Sequence, residues 1–392
     1  MRYAKRPEVY EIAHVVEHLA FGANAKFSNE QDFEADFTKN GAYHNAWTSD
    51  FSVCYESECA NFEWERILAL QQIAISQPRF NEAELKSEKG NVKAELTGYM
   101  NDYARLLWPR LQQMVGENVP DLQERLKTIN NIQLKDIREH YRRTHTAKNM
   151  RFIIAGNLHR RKHKIIKLLN HWDLKPGERF EIPQDELHSA APVLIRRKDA
   201  SNITFAFSWL VPRRLDPSEV YAMNCLNHIL TGTMSSRILG QARKNGLVYG
   251  ICSDLSNSWH NASWDFDGEV NTESAEDLFA LIRQELERIL SGKIDDSDIV
   301  AAKSYATGRY EMGAQTVGQI SDYYADGYFT NESLTKYDRM PALIHKITKE
   351  GMVKLAQEFF HSNIHAFAAV SSIDKATINR LAAQLSFSEE QK

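Results

Sequence analysis

The spacing of apolar residues in the first half of the chain predicts mostly helices. In residues 7–22 the apolar side chains recur every three or four positions, which is the period of a helix with a buried face. Residues 42–58 instead alternate between apolar and polar positions, as a half-buried strand does. Asn81 is a capping residue for a helix from Glu82 to about Met100. The same rules predict helices over residues 28–40, 61–76 and on to about 141, and a strand over 150–155.

A change of composition indicates where the first half ends. Residues 175–191 are rich in Pro, Gly and charged residues and have no apolar period, so they are interpreted as a linker. Beyond them, residues 193–197 and 203–211 predict strands, and Asp216 with Glu219 forms a capping box. We therefore expect an N-terminal domain at 1–174, a linker at 175–191 and a C-terminal domain at 192–392.

The two halves look duplicated. Glu8-Val9-Tyr10, which opens the first helix, recurs as Glu219-Val220-Tyr221. Each half also ends with a helix followed by an apolar strand. Such a pattern predicts an α+β protein made of two related halves.

Composition indicates a globular protein with neither a nucleic-acid nor a membrane signature. Of the 392 residues, 43% are hydrophobic and 26% charged, which suits two domains that each bury a core. The net charge is only −4, so bulk charge favours neither nucleic acid nor an anionic membrane. No apolar run approaches the ~20 residues that cross a bilayer, and the first residues lack a signal-peptide core. The cytoplasm is therefore the expected location. The basic stretch 160–164 is interpreted as the exposed face of a helix rather than a phosphate site.

The cysteines do not predict a metal site or a disulfide framework. The chain has four of them and no Cys-x-x-Cys pair, so buried free thiols are expected. Their positions are Cys54, Cys59, Cys225 and Cys252. A metal ion in this protein would have to use histidine and carboxylate ligands.

Residues 14–18, His-x-x-Glu-His, could hold such a metal. Residues four apart on a helix project from one face, so His14 and His18 can bind one ion. Glu17 flanks the same face and suits a general base that acts on a water molecule at the metal. The alternative is two histidines on a core helix without a metal. Several carboxylates could supply a third ligand, among them Glu82, Glu84, Glu88 and Glu95.

With these residues the chain resembles the pitrilysin/insulinase family of zinc metallopeptidases, which includes the mitochondrial processing peptidase. The resemblance implies two homologous α/β halves that close as a clamshell around a chamber. It also implies that a glutamate about 75 to 80 residues after the histidines is the third Zn²⁺ ligand, which selects Glu95. Glu88, seven residues earlier on the same helix, is then expected to support a ligand by a hydrogen bond.

Two further segments match the family's substrate-binding elements. Asn45 and Ala46, in Asn-Ala-Trp-Thr, resemble an edge strand on which peptide substrate adds as a further strand. Arg243 and Tyr249 resemble residues that the second half directs at the substrate carbonyl. In the second half the positions that match His14, Glu17 and His18 are Asn224, Asn227 and His228, so that half cannot repeat the metal set.

The resemblance therefore predicts a zinc endopeptidase that hydrolyses short or unfolded peptides. The alternative is a non-catalytic subunit that binds substrate or assembles with a peptidase. Family members carry one or two strands ahead of the His-x-x-Glu-His helix, so N-terminal strands, and with them any targeting segment, are expected to be missing here. Short bacterial members are similar to halves of dimers, which implies a homodimer or a heterodimer with a related subunit.

Overall fold

A computed structural model describes residues 1–331 and 334–386. Its helices are α1 (Ile12–Ala20), α2 (Glu30–Thr38), α3 (Trp64–Ser76), α4 (Glu82–Tyr99), α5 (Tyr103–Met114), α6 (Leu122–Asn131), α7 (Leu134–Thr144), α8 (Lys162–Leu169), α9 (Pro217–Leu230), α10 (Arg237–Lys244), α11 (Ala275–Leu290), α12 (Asp296–Met312), α13 (Val317–Asn331), α14 (Met340–His345), α15 (Lys349–His361) and α16 (Lys375–Gln384). The strands are β1 (Tyr43–Thr48), β2 (Val53–Glu58), β3 (Val193–Arg196), β4 (Asn202–Val211), β5 (Val248–Asn257), β6 (Ala262–Asn271) and β7 (Ile364–Ser371). The fold is α+β, as the sequence predicts.

The chain folds into two compact units. Unit 1 comprises Met1–Asn101, Leu122–Pro183 and Thr316–Glu332, and unit 2 comprises Asp102–Asp121, Gln184–Gln315 and Ser333–Lys392. The change at Pro183 falls inside the predicted linker, but two segments depart from the predicted division. Residues 102–121 belong to unit 2 because α5 buries Leu107 and Leu111 on the sheet of that unit.

Unit 1 is mostly helical. Helix α1 is buried almost all round and packs against α4, α7 and β1. A cluster that includes Phe33, Phe37 and Leu70 packs α2 against α3. Asn81 caps α4 as predicted, by accepting a 2.9 Å hydrogen bond from the Glu84 amide.

Two strand predictions for this unit are wrong. Residues 42–58 form a hairpin rather than one strand: β1 and β2 pair antiparallel from Tyr43 opposite Glu58 to Thr48 opposite Val53. The chain reverses where the Ser49 hydroxyl accepts from the Ser52 amide at 3.1 Å, a turn contact that serine favours. Residues 150–155 form no strand, and they pair with none of the strands in the described part of the chain.

Unit 2 is built on a five-stranded sheet with the strand order β3-β7-β4-β6-β5. β3 and β7 pair parallel, and the other neighbouring strands pair antiparallel. One face carries the large core, in which Phe205, Trp264 and Phe266 pack against α9, α11 and α15. The strands predicted at 193–197 and 203–211 are β3 and β4, and Asp216 with Glu219 caps α9 as predicted.

The cysteines are free thiols, as predicted, but not all are buried. Cys225 lies in the core, Cys54 is half-buried, and Cys59 and Cys252 are exposed. The prediction of burial is wrong for the last two: Cys59 lies just beyond the end of β2, and Cys252 lies on the exposed face of β5, where every second strand residue faces out. Among the described residues no helix is both long and apolar enough to cross a membrane.

Candidate active site

Helix α1 presents its two histidines to a common point. Their rings lie 5.0 Å apart between centroids and are inclined at 70°. The buried residues Val15, Val16 and Leu19 fix the rotation of the helix in the core, so the histidine face cannot turn away. The sequence prediction that His14 and His18 share one face is confirmed.

Glu95 on α4 completes the cluster. Its Oε2 atom lies 3.3 Å from Nε2 of His14 and 3.8 Å from Nε2 of His18. The ligand atoms of the three residues lie within 4.8 Å of one another, and no other set of three or more His, Cys, Asp or Glu in the described ranges meets this condition. The Tyr99 hydroxyl, one turn further along α4, donates to the other oxygen of Glu95.

The other three candidate carboxylates of α4 do not belong to the cluster. Glu84 accepts from the Ala23 amide and from the Asn81 side chain, both at 2.9 Å. Glu82 is exposed. Glu88 Oε2 lies 2.9 Å from Nδ1 of His18, which is the supporting contact that the resemblance implies. Thus the structure brings Glu95, and no other of the four, to the Nε2 atoms.

Each histidine is held by a carboxylate at its outer nitrogen. Glu88, itself bound by the Asn91 amide at 3.1 Å, contacts Nδ1 of His18. Glu11 plays the same part for His14, with its Oε2 3.0 Å from Nδ1. Metal-binding histidines typically donate the outer N–H to a carboxylate, which leaves the inner nitrogen free to bind the ion. Two such imidazoles and a carboxylate are the ligand types that Zn²⁺ prefers in catalytic sites, so the residues fit the metal.

Sequence reasoning missed Glu11 and its partner Arg125. Glu11 stands three residues before His14, one helical turn away, and that offset was an available signal. Arg125 is 114 residues from Glu11, and the sequence contained no signal that would find it.

His14 and Glu95 shift each other's pKa values. Burial opposes a charge on His14, but hydrogen bonds with Glu11 and Glu95 outweigh it and raise the pKa of His14 to about 9. The hydrogen bond with His14 lowers the pKa of Glu95 to about 2, although partial burial opposes the shift. In the metal-free protein His14 and Glu95 therefore form an ion pair at neutral pH.

Glu17 is set apart from the ligands by its environment. Burial raises the pKa of Glu17, and the Thr48 hydroxyl, which donates to Oε2 at 2.6 Å, partly opposes that shift. His14, His18 and Glu95 lie close enough for their charges to influence the same carboxyl. A buried carboxylate with a raised pKa, beside a metal cluster, suits a general base. Thr48 is the third residue whose part in the site sequence reasoning missed.

Asn45 and Ala46 lie in β1, opposite Glu56 and Tyr55 of β2. Thr48, at the end of the same strand, carries the contact to Glu17. The sheet to which β1 belongs has two strands, so within the described ranges β1 pairs with a strand on one edge alone. The predicted substrate role of Asn45 and Ala46 stays a prediction.

Arg243 and Tyr249 belong to unit 2, whereas the metal cluster belongs to unit 1. The Arg243 guanidinium lies 4.6 Å from the centre of the Tyr249 ring and donates to the Tyr249 carbonyl at 3.1 Å. The Tyr249 residue is 90% exposed. The two residues thus form a local pair, and their predicted action on the substrate carbonyl stays a prediction.

The residues of α9 that match the motif in the sequence make other contacts in unit 2. Asn224 is exposed, the buried Asn227 accepts from the Trp264 indole at 2.8 Å, and the His228 ring stacks on Tyr305 at 4.0 Å. The side chains of Asn227 and His228 thus make contacts within unit 2.

Known proteins share both the sequence pattern and the fold. Residues 5–121 match the family described as Insulinase (Peptidase family M16), and residues 131–305 match the one described as Peptidase M16 inactive domain. A Bacillus subtilis protein named "Uncharacterized zinc protease YmxG" is 22% identical over 322 residues, 79% of this chain and 76% of that protein. The mitochondrial-processing peptidase subunit beta of Mus musculus is 26% identical over 137 residues, 33% of this chain and 28% of its own length.

Two solved structures have the same fold. The crystal structure of a protease from Helicobacter pylori has a TM-score of 0.77 at 17% identity and covers 93% of this chain and 90% of its own. The crystal structure of a peptidase M16 inactive domain from Pseudomonas fluorescens has a TM-score of 0.79 at 15% identity and covers 95% of this chain and 92% of its own. The two family matches and the sequence relatives, together with the His-x-x-Glu-His helix, show that the chain belongs to the pitrilysin/insulinase family of zinc metallopeptidases, peptidase family M16.

Proposed function

We propose that this protein is a zinc-dependent endopeptidase in which His14, His18 and Glu95 bind the ion. The observation that carries the proposal is the convergence of the two Nε2 atoms on Glu95 Oε2, at 3.3 and 3.8 Å. Three protein ligands leave a fourth position for water, as a catalytic zinc site requires. Zn²⁺, when bound, supplies the Lewis acidity that makes water a nucleophile near neutral pH and polarises the scissile carbonyl.

Glu17 acts as the general base in this proposal. Its carboxylate takes a proton from the attacking water and then delivers one to the leaving amine. Burial raises the pKa of Glu17. A raised pKa suits a carboxyl group that first accepts a proton and then donates one near neutral pH. The Thr48 hydroxyl donates to Oε2, which leaves the second oxygen of Glu17 for proton transfer in this proposal.

An extended peptide along β1 is the substrate that suits this arrangement. A strand edge binds main chain through backbone hydrogen bonds and accepts many side-chain sequences. Because Thr48 links the end of β1 to Glu17, a peptide on this strand would pass close to the general base. In folded proteins most backbone N–H and C=O groups are already paired, which favours short or unfolded peptides as substrates.

Replacement of the general base tests the proposal. We expect Glu17→Gln to keep zinc and to lower kcat by about 10²–10⁴-fold, the usual contribution of a general base. Glu82→Gln is the matched control, because Glu82 is an exposed carboxylate of α4 outside the cluster. This variant should keep both zinc and turnover. Peptide cleavage by Glu17→Gln at the wild-type rate would refute the mechanism.

The second candidate function is that of a non-catalytic subunit. The match of residues 131–305 to a family described as an inactive domain favours it. That match covers the half in which α9 carries Asn224 and Asn227 instead of ligands. A wild-type chain that binds zinc but cleaves no peptide would support this second candidate.

A further inference from the structure

A buried ion pair between Glu11 and Arg125 contacts the outer nitrogen of His14. The Glu11 side chain is 0% exposed, and the Arg125 side chain is 15% exposed. Arg125 donates from Nε to Oε1 of Glu11 at 2.5 Å and from Nη2 to Oε2 at 3.1 Å. A two-pronged guanidinium contact of this kind fixes the plane of the carboxylate.

The carboxylate then fixes the imidazole. Glu11 Oε2, which accepts from Arg125, also lies 3.0 Å from Nδ1 of His14. With Nδ1–H donated to this oxygen, Nε2 of His14 lies on the side of Glu95, and on loss of its own proton it offers a lone pair to a metal ion. Both the tautomer and the ring orientation of His14 thus depend on a carboxylate that Arg125 holds in place.

The two histidines have separate supports. His18 is held by Glu88, which lies on α4 together with Glu95. Glu11 instead precedes α1 and is bound by α6, where Arg125 makes the ion pair and the Thr128 hydroxyl accepts from the Glu11 amide at 3.4 Å. The relative position of the two histidines is therefore secured from two different helices.

Stability alone does not account for such a pair. Taking two charges out of water costs about as much as their attraction returns, so buried ion pairs are a weak source of stability. A buried pair that directs a ligand has a reason to be ionic, since only a charged carboxylate makes a strong hydrogen bond to Nδ1–H.

We propose that Glu11 and Arg125 are positioning residues for the metal site: Arg125 orients Glu11, and Glu11 orients His14. The proposal rests on the proposed function, because it assumes that His14 is a zinc ligand. It assigns to α6, through Arg125, control over the affinity and the coordination geometry of an ion whose proposed ligands lie on α1 and α4.

Metal titration of the full-length chain tests this. Supporting residues of metal ligands typically contribute 10- to 100-fold in affinity, so Glu11→Gln should raise the zinc Kd by that factor in competition with a chromophoric chelator. Arg125→Lys keeps the charge but loses the two-pronged contact, and it should raise the Kd by a smaller factor. In both variants the visible spectrum of bound Co²⁺ should change, since the His14 ring is no longer held.

A second buried ion pair provides the control. Glu63 and Arg66 form a contact in unit 1 away from the cluster, with side chains 9% and 24% exposed. Glu63→Gln should lower the Tm without changing zinc affinity or the Co²⁺ spectrum. Wild-type affinity and spectrum in Glu11→Gln and Arg125→Lys, with a loss of Tm like that of Glu63→Gln, would overturn the inference. A wild-type chain that binds no zinc would refute the proposed function itself, and this inference with it.

Discussion

Two buried histidines, His140 in α7 and His145 directly after it, should make unit 1 sensitive to acid. The His140 and His145 residues are 6% and 8% exposed, and α7 packs against the ligand helix α1. Burial, together with the charges of His145 and Arg143, lowers the pKa of His140 to about 3. Burial alone lowers the pKa of His145 to about 4. In the unfolded chain both titrate near the ordinary value of about 6.5.

The sign and size of the effect follow from these pKa values. Between pH 6.5 and 4 the unfolded chain binds protons that the folded chain does not, so stability falls as the pH falls. From pH 8 to pH 5, each histidine should reduce the free energy of unfolding by about 2 kcal/mol. In the metal-free protein His14, whose pKa is raised to about 9, contributes in the opposite direction over this range, so the loss is measured by comparing variants and not from the wild type alone.

Urea unfolding at pH 8 and pH 5, in the presence of a chelator, measures this loss. Amide exchange of α7 peptides follows unit 1 separately from unit 2. His145→Gln removes one titrating group and should reduce the pH dependence by about 2 kcal/mol, even if it lowers stability at both pH values. His159→Gln is the control, because His159 is exposed and lies outside α7. An unchanged pH dependence in His145→Gln would refute the reasoning.

Two further predictions concern the cluster itself. Thr48→Val removes the hydroxyl that lowers the pKa of Glu17, so the acidic limb of the kcat/KM profile should move to higher pH. Thr48→Ser keeps a hydroxyl and should return the limb to its wild-type position. Identical pH profiles for Thr48→Val and the wild type would contradict the role of Thr48. Zinc binding at pH 7 should release about one proton, because the pKa of metal-free His14 is about 9 and its Nε2 must be deprotonated to bind. Calorimetry in buffers of different ionisation enthalpy measures that proton, and the same heat in all buffers would contradict the prediction.

The sequence predicted the local part of the site and missed the long-range part. His14, Glu17 and His18 could be grouped because helical spacing alone sets their relation. Glu95 could be chosen among four carboxylates only through the family resemblance, since the packing of α4 against α1 is a tertiary contact. Arg125 and Thr48 come from other elements, and no local pattern connects them to the motif.

The errors in the predicted fold have two causes, one local and one long-range. Alternation in residues 42–58 correctly indicated strand, but the turn at Ser49 that divides it depends on local side-chain contacts. Residues 150–155 are apolar enough for a strand, yet a strand also needs a neighbour to pair with, which composition does not reveal. The helix caps at Asn81 and Asp216 were predicted correctly, because a cap acts within a few residues.

Metal content, paired with peptide cleavage, tests the central claim most directly. We expect about one zinc per purified chain. The chain should also cleave a quenched fluorescent peptide library, and this cleavage should stop on chelation and return when zinc is added back. A chain without zinc, or a zinc-loaded chain that cleaves none of the peptides, would contradict the assignment of His14, His18, Glu95 and Glu17 as a catalytic site.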